Sequence, residues 1–148
     1  LLCVTNFGNN VTFFCIQTFI KIYIFETKKN DMATEELLSA IVAGLQELKA
    51  KKIVLINLKE VCSECDYFVV CEGNSSTHTS SIALETKNFV LKNAKTKPFA
   101  IDGEDNGIWI AMDYGEIIVH VFQHEAREFY DIEHLWGDAK LTEIQDID

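Results

Sequence analysis

Apolar residues recur at Leu37, Leu38, Ile41, Val42, Leu45 and Leu48, and this spacing predicts an amphipathic first helix. Thr34 is placed to cap it, Glu35 and Glu36 fall where the helix dipole favours carboxylates, and Lys49, Lys51 and Lys52 close it. The pattern then shortens. Residues 53–58 and 66–72 are apolar runs of strand length, the second carrying Tyr67, Phe68, Val69, Val70 and Cys71. Gly73-Asn74-Ser75-Ser76 stops that strand and caps a helix over 77–93, with Ile82, Ala83, Phe89 and Val90 on its buried face. Beyond Pro98, residues 99–101 read as a short strand and 102–107 as an acidic turn. Residues 108–122 organise the rest. Two β-branched and aromatic runs flank Asp113-Tyr114-Gly115-Glu116, the signature of an antiparallel hairpin. Ile117, Ile118, Val119, Val121 and Phe122 are nearly continuous, so their strand belongs inside a sheet covered on both faces. Trp109 and His120 stand out from these runs as residues that could face a partner. Residues 123–138 form a helical turn or two and then a strap across the hairpin, and the chain from Lys140 reads as a frayed polar tail. The order α-β-β-α-β-β-β-α predicts a single α/β domain with a mixed β-sheet flanked by helices.

The first 31 residues do not share this patterning. Residues 11–25 are apolar but interrupted by Gln17, Thr18 and Lys21, and fall short of the about 20 residues a bilayer span needs. Neither a basic leader nor a small-residue cleavage site is present, so upstream sequence is the preferred reading and a membrane or organelle-targeting role the alternative. Met32 opens the helical pattern. The expected organisation is an N-terminal extension at 1–31 outside the domain, with translation starting at Met32, a domain at 32–139 and a polar tail at 140–148.

Hydrophobic content of 48% with 11% aromatic argues against disorder and for one core. The formal net charge is −10, while residues 1–31 carry Lys21, Lys28 and Lys29 against Glu26 and Asp31, so the acidity belongs to the domain. Free nucleic acid is a poor partner for such a surface, because phosphate binding needs a basic stripe. A basic protein surface suits it better. Cys3, Cys15, Cys62, Cys65 and Cys71 form an odd set with no secretory signal, which points to a reducing compartment and free thiols.

Several constellations could carry chemistry. Cys62-Ser63-Glu64-Cys65 has the spacing of a redox pair or half a zinc site. No second ligand pair accompanies it, and it precedes a strand rather than opening a helix, so loop residues that happen to be cysteine are the preferred reading. Gly73-Asn74-Ser75-Ser76 could cradle an anion or open a nucleotidyltransferase site. The carboxylate pair that would hold magnesium does not follow it, since Thr77, His78, Thr79, Ser80 and Ser81 come before Glu85. A plain strand-to-helix turn is preferred. Asp102, Glu104, Asp105, Asp113 and Glu116 lie in two turns that could meet; an enzyme with a divergent metal site would use Asp102, Glu104 and Asp113. His120, His124 and His134 fit structural roles better than a catalytic one, because no nucleophile elbow is present. Trp109, Tyr114, Phe122, Tyr130 and Trp136 form an aromatic series; Phe122 and Trp136 suit a core, while Trp109 and Tyr114 suit an interface.

Taken together, Asp66-Tyr-Phe-Val-Val, Gly73-Asn-Ser-Ser76, Ile108-Trp109, Asp113-Tyr-Gly-Glu116, Val119-His-Val-Phe122, Arg127-Glu-Phe-Tyr130 and Leu135-Trp-Gly-Asp138 resemble the ribosomal silencing factor, or Iojap-like, family. The seven signatures occur in the family's order between residues 34 and 138; Cys62 and Cys65 depart from the small residues expected there. The resemblance implies a nucleotidyltransferase-like fold without the catalytic carboxylates: a binding protein, not an enzyme, with no cofactor and no metal. It implies docking on protein fourteen of the large ribosomal subunit, where the factor blocks subunit joining and represses translation. A homodimer when free and a cytoplasmic, bacterial setting are further expectations. By likeness and chemistry the expected binding residues are Trp109, Tyr114, His120, Phe122 and Tyr130, with Trp109 and Tyr114 as anchors.

Overall fold

In a computed structural model of the protein, residues 31–148 are described. Alternation along the strands splits the apolar residues between two faces of one sheet. Helix α1 (Asp31–Glu47) leads into strands β1 (Lys51–Asn57) and β2 (Tyr67–Gly73). Helix α2 (Ser76–Ala94) follows, then strands β3 (Ala100–Asp102), β4 (Trp109–Asp113) and β5 (Ile117–Gln123). Two short helices, α3 (His124–Tyr130) and α4 (Ile132–Leu135), and strand β6 (Lys140–Ile144) complete the order. The strands pair as β3-β4-β5-β2-β1-β6. Among the described strands only β2 and β5 pair in parallel. A parallel pair needs a crossover, and the chain from α2 through β4 supplies it.

The hairpin of β4 and β5 forms as expected, with Trp109 opposite Phe122 and Asp113 opposite Ile118. Gly115 takes φ +89 in its turn, a conformation that an L side chain resists. Strand β5 lies at the middle of the sheet, and every residue from Ile117 to Phe122 is buried. Tyr67, Val69, Cys71, Ile110, Met112, Ile117, Val119 and Val121 face the long helices, packing with Leu38, Ile41, Leu45, Ile82, Ala83 and Val90. Helices α1 and α2 cross closely at Gly44, where an added Cβ would lie 3.1 Å from Thr86 Cα. On the opposite face Val54, Ile56, Phe68, Val70, Trp109, Ile118 and Phe122 pack under Ala126, Ile132 and Trp136 of the strap.

Three expectations are corrected. Thr34 does not cap α1, which already begins at Asp31; it is buried within the helix and donates to Glu116 Oε2 of the hairpin turn at 2.6 Å. Phe89 is half-buried, and Thr79 and Thr86 take the buried positions beside Ile82, Ala83 and Val90. Most consequentially, the chain from Lys140 is a strand: residues 140–144 pair antiparallel with β1, with Asn57 opposite Lys140 and Ile53 opposite Ile144. The N-terminal extension expected at 1–31 lies, but for Asp31, outside the described residues. Among the described residues no helix is long and apolar enough to cross a membrane.

Candidate functional site

The register of the hairpin stacks aromatic rings on the strap face. Trp109 and Phe122 are direct partners, and their rings stack with centroids 4.9 Å apart. Two pairs further along, on the same face, Ala111 stands opposite His120, and its small side chain leaves the imidazole room to lie beside the indole. Trp109 Nε1 donates to His120 Nδ1 at 3.1 Å. Phe68, from the neighbouring strand, meets His120 edge-on at 4.8 Å and Trp136 at 5.8 Å. Accepting at Nδ1 makes the ring a neutral imidazole. Burial lowers the His120 pKa to about 3, and its Nε2 is buried with no partner among the described residues.

Helix α3 closes this platform. Tyr130 lies 4.7 Å from the Trp109 ring, and Phe129 meets Tyr130 edge-on at 5.1 Å. Successive helical residues point about 100° apart, so an aromatic doublet cannot bury both rings against one surface. Tyr130 is half-buried; Phe129 is 79% exposed. Ile108 is 47% exposed just before β4.

The helix is held by Arg127. Its Nε donates to Glu133 Oε1 at 2.9 Å and its Nη1 to the Lys52 carbonyl at 2.8 Å, while Nη1 lies 3.4 Å from Glu72 Oε1. Glu72 also faces Lys52 Nζ at 3.4 Å and His124 Nδ1 at 3.5 Å. A guanidinium hydrogen-bonded to Glu133 and the Lys52 carbonyl, with Glu72 at ion-pair distance, is satisfied in a buried position. It ties α3 to β1, β2 and α4.

Of the five residues expected to bind, four are buried. Trp109 and Tyr114 are each 4% exposed, and His120 and Phe122 each 1%. The two expected anchors do not even share a face. Tyr114 packs with the helix-side core and its hydroxyl is buried without a partner among the described residues, while Trp109 lies beneath the strap. Trp109, His120, Phe122 and Tyr130 do come together, as a support whose outermost ring is Phe129. Phe129 and Arg127 were missed by sequence reasoning, although the Phe129-Tyr130 doublet carried the signal.

The chemical alternatives find little geometry. Asp102 accepts from the Gly103 N–H, Asp113 from the Gly115 N–H at 2.7 Å, and Glu116 from Thr34. Asp102 and Asp113 sit at opposite ends of the β3–β4 pairing, and burial raises the Asp113 pKa. Among the described residues no three His, Cys, Asp or Glu side chains converge as metal ligands. Ser75 caps α2, accepting from the His78 N–H at 3.1 Å, while His78 Nδ1 accepts from the Asn74 N–H at 2.9 Å. The Asn74 N–H and the His78 N–H of the first helical turn thus find local acceptors, in keeping with a strand-to-helix turn.

The family model described as "Ribosomal silencing factor during starvation" matches residues 31–148. The chain is 33% identical over 116 residues to "Ribosomal silencing factor RsfS" of Halalkalibacterium halodurans, covering 78% of this chain and 98% of that protein. It is 31% identical over 113 residues to the protein of the same name from Bacillus subtilis, covering 76% of this chain and 95% of that one. A crystal structure of a Chromobacterium violaceum protein superposes with a TM-score of 0.66 at 28% identity, over 70% of this chain and 85% of that chain.

Proposed function

The chain belongs to the ribosomal silencing factor family, and we propose that it docks on the large ribosomal subunit at ribosomal protein fourteen, blocks subunit joining and so represses translation. The observation that carries the docking face is Phe129, 79% exposed on a helix whose next residue rests on the Trp109 ring. An exposed aromatic backed by a rigid stack loses little entropy when it enters a pocket, which is how interface hot spots are built. Glu125 and Glu128 are exposed on the same short helix, and acidic rim charges suit a basic ribosomal protein. Trp109, His120 and Phe122 support this face from below, and Tyr130 borders it. Tyr114 belongs to the opposite face and has no part in it. A homodimer of the free protein and a cytoplasmic setting are carried by the family resemblance.

The test is co-sedimentation of the full chain with isolated bacterial large subunits, followed by addition of small subunits. The wild-type protein co-sediments and keeps small subunits from joining. Phe129→Ala weakens binding at least about tenfold with an unchanged circular dichroism spectrum, while Tyr114→Phe binds as wild type. Wild-type chain that stays in the supernatant sinks the reading; binding indifferent to Phe129→Ala moves the docking face elsewhere.

A further inference from the structure

The loop joining β1 to β2 holds two thiols that the docking face does not use. Its base closes where the Leu58 N–H donates to the Asp66 carbonyl at 2.7 Å. Its first half is a helical turn, with the Val61 and Cys62 N–H groups both donating to the Leu58 carbonyl, at 3.0 and 2.8 Å. This turn folds Cys62 back over the loop, so that it packs against the apolar cluster to which Cys65, three residues later, belongs. Both are free thiols in unequal surroundings. Cys65 is 3% exposed and belongs to the apolar cluster of Leu58, Phe68 and Trp136; Cys62 is half-buried at the rim of that cluster.

We propose that Cys62 and Cys65 form a thiol–disulfide exchange site whose substrates are low-molecular-weight disulfides, with Cys62 the attacking and Cys65 the resolving thiol. Cys62 is half-buried and can meet a small disulfide, while Cys65, three residues on and 3% exposed, packs within the cluster that Cys62 borders. The hydrogen bond from Cys65 outweighs partial burial and, with the Glu64 and Cys65 N–H groups, holds the Cys62 thiol below its ordinary range despite the Glu64 charge. That same hydrogen bond, then burial, pushes the Cys65 thiol up. Cys71, fully buried in β2, is pushed up to about 12 by burial.

The exchange balances in two steps. The Cys62 thiolate attacks one sulfur of a disulfide RSSR, forming Cys62–S–S–R and releasing RS⁻, which takes a proton from water. Cys65 then loses its proton to solvent and attacks Cys62 Sγ, forming the Cys62–Cys65 bond and expelling a second RS⁻. The protein gives up two electrons and two protons, and RSSR becomes two RSH. Reduced thiol in excess reverses both steps.

The full chain is incubated in glutathione buffers from fully reduced to fully oxidised, quenched in acid and mapped by peptide mass spectrometry. The oxidised end yields a Cys62–Cys65 disulfide that reduced glutathione reopens, while Cys71 stays reduced throughout. Cys65→Ser accumulates one glutathionyl group on Cys62, and Cys65→Ala repeats that trap without placing a hydroxyl in the apolar cluster. Cys62→Ser leaves Cys65 unmodified. At neutral pH, iodoacetamide alkylates Cys62 about fivefold faster than it alkylates free glutathione. Both thiols remaining reduced across the series, or glutathionylated Cys62 that never resolves to the internal disulfide in the wild type, overturns the proposal.

Discussion

His120 occupies the most constrained position of the platform, with Nδ1 accepting from Trp109 and the ring otherwise enclosed by Phe68 and Phe122. Its folded pKa, lowered to about 3 from 6.5, makes protonation a stability term. Above pH 6.5 the ring is neutral in both states and contributes no pH dependence. Below 6.5 the unfolded chain gains a proton that the buried ring refuses until about pH 3, so folding weakens as pH falls through that window. The slope is about 1.4 kcal/mol per pH unit, or about 2 kcal/mol between pH 7 and pH 5. Asp113, whose pKa burial raises, works in the opposite direction, so the effect must be read as a difference. His120→Gln keeps an acceptor for Trp109 and does not titrate. Urea unfolding at several pH values is expected to show wild type losing about 2 kcal/mol relative to the variant by pH 5. A difference that stays flat with pH would mean that the ring is solvated or charged in the folded state.

Among the elements, β6 is the one that sequence patterning concealed. Lys140, Leu141, Thr142 and Glu143 are all exposed, so no alternation of buried and exposed positions marks the strand. It exists because β1 presents an unpaired edge, and its backbone groups satisfy that edge at Ile53 through Asn57. Beyond it, Asp146 accepts from the Lys52 N–H at 2.8 Å, while the Lys51 contacts to Asp146 and Asp148 are exposed and contribute little. Deleting residues 140–148 is expected to lower stability by about 2 kcal/mol, a few net backbone hydrogen bonds less the entropy regained. The bared β1 edge should also promote self-association. Urea titration and sedimentation velocity at several concentrations check both effects, and an unchanged midpoint with no association would mean that β1 has no partner there. Helix α3 teaches the complementary lesson. Seven residues cannot hold a helix alone, and its place is set by Arg127 reaching Lys52, Glu72 and Glu133.

For the molecule as a whole, the proposed docking would divide the work of binding between a net charge of −10 and the exposed Phe129 ring. Long-range charge steers encounter with a basic partner, and the desolvated aromatic sets the lifetime of the complex. Raising KCl from about 50 to about 500 mM should slow association with large subunits at least about tenfold while dissociation changes little. Phe129→Ala should do the reverse, speeding dissociation at constant ionic strength. Stopped-flow measurement of both rates separates them; an association rate indifferent to salt would mean that the acidic surface faces away from the ribosome.

Much of this architecture follows from local pattern. Three-to-four-residue spacing places α1 and α2, the Asp113–Glu116 turn flanked by β-branched runs places the hairpin, and an unbroken apolar run puts β5 at the middle of the sheet. The motif series from Asp66 to Asp138 carries the family, and the acidic balance follows from composition alone. Which aromatics reach solvent was decided only in three dimensions. Trp109 is buried because Tyr130, twenty-one positions later, lies across it, and Tyr114 because the hairpin turn directs it into the helix-side core. Phe129 is exposed because Arg127 fixes the roll of α3 through partners on three other segments. Periodicity records which residues share a face of their own element. It carries no information on what distant segment covers that face, because that depends on the summed packing of the whole sheet.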